Sequence, residues 1–101
     1  MRCAFHLRIR QGMEKEYAER HRQVWANMLS ELKKAGIRNY SIFADGNDLF
    51  GYWECDDINT TLAFLDRSQI NADWQKYMSD VLETPSSKRL SDNLVEVFRL
   101  D

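Results

Sequence analysis

Proline and glycine are scarce in this chain, with one proline and four glycines among 101 residues. That excludes a Pro/Gly-rich linker or a low-complexity tract, and the length allows one domain spanning residues 1–101. Cysteine is equally sparse. Cys3 and Cys55 are the only two, too few for the bridge-dense scaffold of a small secreted domain. Neither has a neighbouring histidine or a CxxC partner, so both are expected to be small buried hydrophobes rather than reactive thiols. Long apolar runs are missing, which excludes a membrane-spanning helix. Arg2, His6, Arg8 and Arg10 interrupt the region where a secretory leader would need an apolar core. A cytoplasmic location is expected. Charge of one sign is not in excess: 14 Lys and Arg against 16 Asp and Glu give a net charge of -2. No basic footprint for nucleic acid or an anionic membrane follows from that balance.

What the chain does have is clear periodicity. Cys3, Phe5, Leu7 and Ile9 alternate with Ala4, His6, Arg8 and Arg10, a strand with one strongly apolar face. After Gln11-Gly12 the period changes. Met13, Tyr17, His21, Val24, Trp25, Met28, Leu32 and Ala35 recur every three or four residues up to Gly36. This spacing predicts one long amphipathic helix with Gly36 as its stop. Ile37 to Ala44 and Leu49 to Cys55 read as two strands joined by Asp45-Gly46-Asn47-Asp48, a hairpin by its turn chemistry. Asp56 or Asp57 can cap a second helix carrying Ile58, Leu62 and Leu65. A third helical stretch carries Ile70, Trp74, Tyr77, Met78 and Val81. The polar run from Glu83 to Arg89, with Pro85 inside it, reads as a loop, and Asn93 to Leu100 as a closing strand.

The order β-α-β-β-α(α)-β is the split β-α-β arrangement, a ferredoxin-like α+β fold with helices on one face of a four-stranded antiparallel sheet. The other face is not polar. Phe50 and Tyr52 alternate with Leu49, Trp53 and Cys55, and Val95 and Val97 with Leu94, Phe98 and Leu100. A sheet covered by helices on one side has no need of apolar residues on both. A homodimer that covers the second face by sheet–sheet contact, as in the dimeric α+β barrel type, is the expected solution. His6 falls on the less apolar side of the first strand, as a surface or dimer contact.

His21 interrupts an apolar stripe, with Tyr17 one turn before it and Trp25 one turn after. The stripe must face the sheet, so all three point inward. Spacing alone favours a core histidine held by one hydrogen bond, since isolated buried histidines are common. Tyr40 on its strand and Trp74 on the third helix can line the same space, though aromatics at such spacings are ordinarily core. His6 and His21 have neither ligand spacing nor a surrounding Cys or carboxylate cluster, so no metal site and no cofactor are expected.

The segment from Glu16 to Trp25, EYAERHRQVW, resembles the EY-x-x-RH-x-x-x-W signature of the L-rhamnose mutarotase family. The likeness continues through Gly36-Ile37-Arg38-Asn39-Tyr40-Ser41-Ile42, Leu49-Phe50-Gly51, Trp74-Gln75-Lys76-Tyr77-Met78 and Leu94-Val95-Glu96-Val97-Phe98. It thus covers nearly the whole chain. The resemblance implies a dimeric ferredoxin-like enzyme in which the helical histidine, here His21, is the proton donor. It also implies that Tyr17, Tyr40 and Trp74 contact a monosaccharide. Gln75 stands where the family usually has a second consecutive tryptophan, and is expected to contact substrate as well. Ala26-Asn27-Met28 replaces the usual Pro-Glu-Leu, and Thr84-Pro85-Ser86-Ser87-Lys88 replaces a loop of the Asn-Pro-Asp-Asn-Ser-Pro type.

These residue types suit anomer exchange. Opening a hemiacetal ring needs one proton delivered to the ring oxygen and one removed from the anomeric hydroxyl. Histidine, with an unperturbed pKa of about 6.5, both gives and takes protons near neutrality. Phenols near pKa 10 are better hydrogen-bond partners than bases. Trp74 can present an apolar face to the sugar's C–H groups. L-fucose stays an alternative sugar. A cofactor-independent or haem-using monooxygenase of the same fold and a non-catalytic metabolite-binding module are the alternative classes.

Overall fold

The computed structural model describes residues 1–85 and 94–101. Three strands, β1 (Arg2–Arg8), β2 (Arg38–Asp45) and β3 (Asp48–Glu54), form an antiparallel sheet in the order β1-β3-β2. Four helices accompany them: α1 (Glu14–Arg22), α2 (Ala26–Lys34), α3 (Ile58–Asp66) and α4 (Gln69–Tyr77). The fold is ferredoxin-like, and its strand order is the one that places β3 between the two strands flanking the first helical crossover. Among the described residues, no helix is long and apolar enough to cross a membrane.

Several helix ends have a local cause. Glu14 and Glu16 in the first turn of α1, with Arg20 and Arg22 in its last, complement the helix dipole. α2 stops where the pattern placed its end. Gly36 takes φ 95°, its N–H bonds the Lys33 carbonyl at 3.0 Å, and the Ile37 N–H bonds the Leu32 carbonyl at 3.1 Å. That pair of bonds is a Schellman closure, which glycine enters without steric cost. The buried Thr61 on α3 then donates to the Ala35 carbonyl at 2.6 Å, seating α3 on the end of α2. Asp57 caps α3 through the Asn59 N–H at 3.0 Å. Ser68 caps α4 through the Asn71 N–H at 3.1 Å while donating to the Glu31 carboxylate of α2.

The long helix predicted from Met13 to Ala35 is two helices. Gln23 to Trp25 leave the helical path, and Trp25 adopts φ -55° and ψ 136°. Neither proline nor glycine causes this. The extended turn brings the Trp25 ring onto Trp74 at 5.0 Å and Tyr77 at 5.4 Å, and such aromatic packing outweighs the weak intrinsic preference to continue a helix.

The closing strand is also not formed as predicted. Of Asn93 to Leu100, Asn93 lies outside the described residues, and residues 94–101 join no ladder. The outer edge of β1 is instead taken in two pieces. Val81 to Thr84 bonds it at Arg8 and Arg10, with Ile9 bridged to Leu82. Leu94 donates to the Ala4 carbonyl at 3.2 Å, and Glu96 makes a bidentate pair with Arg2. Beyond Glu96 the chain stays by this end of the sheet, where Arg99, Leu100 and Asp101 border a hollow with Arg2, Tyr52 and Glu54. The predicted Glu83–Arg89 loop lies mostly outside the described residues.

The core lies between sheet and helices. Cys3, Phe5, Leu7, Leu49, Trp53 and Cys55 point into it, as their alternation requires. The opposite sheet face is open, with Phe43 and Phe50 paired across β2 and β3 and 67% and 42% exposed. One close approach fixes the β1–β3 pairing at its centre. Phe5 stands opposite Gly51, and its ring occupies the space that a side chain on Gly51 would need. Gly51→Ala should therefore cost about 1–3 kcal/mol by overpacking, read as a lower urea midpoint with an unchanged slope.

Candidate active site

The cavity of interest opens between α2, α4 and β2. It measures about 270 Å³ and is lined by His21, Val24, Met28, Leu29, Leu32, Tyr40, Ile42, Trp74 and Gln75. That volume lies just under the roughly 300–1,000 Å³ of drug-sized sites, which suits a molecule of monosaccharide size. A smaller hollow of about 40 Å³ shares His21, Tyr40, Trp74 and Gln75 and adds Tyr17. The five residues singled out from the sequence, Tyr17, His21, Tyr40, Trp74 and Gln75, are thus brought together from α1, β2 and α4. His6 stands apart, on the open face of the sheet, with Nε2 2.8 Å from an Asp48 carboxylate oxygen.

The His21 imidazole is held on several sides. Tyr17 stacks on it with ring centroids 4.1 Å apart and planes 25° from parallel. Trp74 meets it edge-on at 5.6 Å. Its Nδ1 lies 3.1 Å from the Tyr17 carbonyl oxygen, one turn back on the same helix. A carbonyl can only accept, so Nδ1 carries the hydrogen and donates it. In the neutral ring the lone pair is then on Nε2, the nitrogen left for chemistry. Burial pushes the imidazole pKa below its ordinary 6.5, and the bond to the Tyr17 carbonyl offsets this only in part. His21 therefore rests neutral at neutral pH.

Tyr40 reaches the cavity through an irregularity in β2. Arg38 stands opposite Glu54 and Ser41 opposite Tyr52, so β2 carries one extra residue across that interval. Asn39 absorbs it with φ 52°, a left-handed conformation that asparagine tolerates better than most residues, and its side chain donates to Glu54 at 3.1 Å. Without this bulge, Arg38 and Tyr40 would share a face. With it, Arg38 pairs with Asp56 at 3.1 Å while Tyr40 turns under the helices, edge-on to Phe5 at 6.2 Å. Burial pushes the Tyr40 phenol pKa up, with a smaller push from Tyr17, whose own phenol is raised by burial alone. Both phenols stay protonated, as donors and acceptors for hydroxyl groups.

Gln75 projects into the cavity with its amide nitrogen 3.2 Å from the Asn71 side-chain oxygen. Trp74 is only 7% exposed, wedged among His21, Trp25 and Tyr77.

Sequence reasoning missed a clamp on the neighbouring residue. Arg20, 12% exposed at its side chain, donates to the Tyr77 carbonyl at 2.6 Å and to both Asp80 carboxylate oxygens at 2.8 and 3.1 Å. Its guanidinium also accompanies Glu16 at 3.0 Å and lies 4.5 Å over the Tyr77 ring. This fork ties α1, which carries His21, to the end of α4, which carries Trp74. A lone arginine beside a histidine gives no sign of its distant partners. Val24, Met28 and Leu32 were also missed as lining residues, because a stripe at helical spacing reads as core, and Leu29 because it falls outside that stripe. Among the described residues, no three His, Cys, Asp or Glu side chains gather as a metal ion would require.

A small α+β domain with a neutral histidine in a cavity lined by aromatic rings, a phenol and an amide defines a class: small-molecule sites that carry both apolar and hydrogen-bonding groups. Comparison with known proteins makes this specific. A family model described as L-rhamnose mutarotase matches residues 2–100. An L-rhamnose mutarotase of Oceanobacillus iheyensis is 40% identical over 99% of this chain and 98% of its own length. One of Opitutus terrae is 39% identical over 100% and 99%. The crystal structure of an L-rhamnose mutarotase from Formosa agariphila superposes with a TM-score of 0.84 at 30% identity, covering 100% of this chain and 99% of that one. The chain belongs to the L-rhamnose mutarotase family, isomerases of sugar anomers.

The neutral His21 has a consequence for stability. Its folded pKa lies below the unfolded value of about 6.5, so the unfolded state binds the proton more readily. Stability should be highest above that value and fall as pH drops from about 6.5 through the depressed folded pKa. Thermal melts from about pH 8 down to 5 should show a steeper acid-side loss for the natural chain than for His21→Gln. Parallel curves would contradict the assignment.

Proposed function

We propose that residues 1–101 act as a single catalytic domain that interconverts the α and β anomers of L-rhamnose, with His21 as the acid–base group. The observation that carries this reading is the Nδ1–H bond to the Tyr17 carbonyl, which leaves the lone pair of the neutral ring on Nε2 in a residue that lines the cavity. Neutral Nε2 takes the proton of the anomeric hydroxyl. The C1–O1 bond becomes a carbonyl, the bond from C1 to the ring oxygen breaks, and the imidazolium gives that proton to the ring oxygen. Both oxygens are bonded to C1, so one ring serves both transfers with little movement. After rotation about C1–C2, the aldehyde closes on its other face by the reverse steps. His21 thus becomes the proton donor that the family resemblance implies, after first accepting.

Tyr17, Tyr40 and Gln75 hydrogen-bond the sugar hydroxyls in this reading, and Trp74 offers its ring to the C–H groups. A positioned acid–base group contributes about 10²–10⁴-fold, enough for a reaction that proceeds slowly unaided. No cofactor is needed for these steps.

Saturation-transfer NMR of L-rhamnose anomers tests the proposal. The natural chain should accelerate exchange, with a rate that falls on acidification as Nε2 becomes protonated. His21→Ala should lose about 10²–10⁴-fold while keeping its circular dichroism. A fully active His21→Ala removes His21 from the mechanism. Faster exchange of L-fucose than of L-rhamnose would move the assignment to that sugar.

The working form is read as a cytoplasmic homodimer. Phe43 and Phe50 on the open sheet face, and Val95, Val97 and Phe98 of the C-terminal segment, leave a large apolar area to solvent in one chain. A second copy laid face to face would cover it. Sedimentation velocity at micromolar concentration should give twice the chain mass, and a monomer there would contradict this.

A further inference from the structure

We propose that Val24 and Met28 form a seat for the exocyclic methyl of a 6-deoxy-hexose and select against the 6-hydroxy sugar. The inference rests on the acid–base reading of His21 and adds an orientation to it. When Nε2 serves the ring oxygen, the two carbons bonded to that oxygen, C1 and C5, lie beside the imidazole. The methyl carbon C6 hangs from C5, two bonds from the ring oxygen, so it cannot be remote from His21.

The wall there is apolar. Val24 follows His21 by three residues and lies in the break between α1 and α2, and Met28 follows within the first turn of α2. The break itself exposes this wall to the cavity, because Trp25 turns away onto Trp74 and Tyr77. Valine has no hydrogen-bonding atom on its side chain, and the thioether of methionine is only a weak acceptor. Hydroxyl partners come from other elements: the Tyr40 phenol on β2 and the Gln75 amide on α4. Leu29 and Leu32 extend the apolar lining along α2, and the seat sets the C5 flank of a ring whose oxygen meets His21 against this wall. A methyl gains contact there, whereas a hydroxymethyl buries an oxygen with no partner.

L-Rhamnose and L-mannose test this, because they differ only in a hydroxyl on C6. Apolar pockets reject an added hydroxyl only moderately, so the natural chain should prefer L-rhamnose by about 10–100-fold in kcat/KM for anomeric exchange. Val24→Thr keeps the shape of the side chain and adds a hydroxyl, and Met28→Gln keeps the length and adds an amide. Each should cut that preference about tenfold, chiefly by raising exchange of L-mannose. Equal exchange of both sugars by the natural chain would overturn the seat, a result that needs no variant to fold. A preference unchanged in both variants, with unaltered circular dichroism, would overturn it too. In either case acceleration of exchange leaves the role of His21 standing. Exchange of neither sugar would sink the acid–base reading and the seat with it.

Discussion

The hydrogen bond from His21 Nδ1 to the Tyr17 carbonyl is the smallest feature on which the most depends. It fixes which nitrogen bears the proton, how the ring is turned, and how it lies against the Tyr17 side chain one turn away. The donor and acceptor are on the same helix, four residues apart, so α1 supplies this geometry wherever it packs. What α1 cannot supply alone is its position. That comes from Arg20, whose fork grips the carbonyl of Tyr77 and the carboxylate of Asp80 just beyond α4. The site is thus assembled from a local bond that orients the imidazole and a long-range one that brings a tryptophan to its edge.

Two departures from regular structure complete it. The bulge at Asn39 reverses the facing of β2, so that a strand with an exposed Arg38 delivers Tyr40 to the helix side two residues later. The break at Gln23 to Trp25 lets one apolar stripe serve two purposes, with Trp25 packed on aromatic rings and Val24 left beside the cavity. Each costs regular hydrogen bonding or backbone comfort, and each lies at the site. Strain of this kind persists where surrounding structure holds it in place. The Asn39 amide bonded to Glu54, which itself accepts from Tyr52 at 2.6 Å, is such a restraint.

The legible part of the sequence was its periodicity. Alternation in β1 and β3, the Gly36 stop, the Asp57 cap and the turn at Gly46 are all local signals with local causes, and each element stands where its signal put it. The break in the first helix was illegible because its cause, packing of Trp25 on Trp74 and Tyr77, spans some fifty residues of chain. The unformed closing strand was illegible for a related reason. Leu94 to Leu100 have good strand composition, but composition does not decide pairing: Leu94 bonds Ala4 on β1, and no ladder follows from it among the described residues. For the site, periodicity could say that Tyr17 and His21 share a helix face. It could not say that Tyr40 meets them, since a bulge reverses the very alternation from which facing is read. Family resemblance picked out Tyr40 and Trp74 where spacing favoured plain core.

The aromatic corner made by Tyr17, Trp25, Trp74 and Tyr77 has a thermodynamic implication. Such side chains turn about only two torsions each, and these are already wedged against one another and the imidazole. Little rotamer entropy remains for them to forfeit when a guest arrives, so the ordering cost of association falls on displaced water and on the guest's own hydroxyls. Met28, with three rotatable bonds, is the most pliable side chain of the apolar wall.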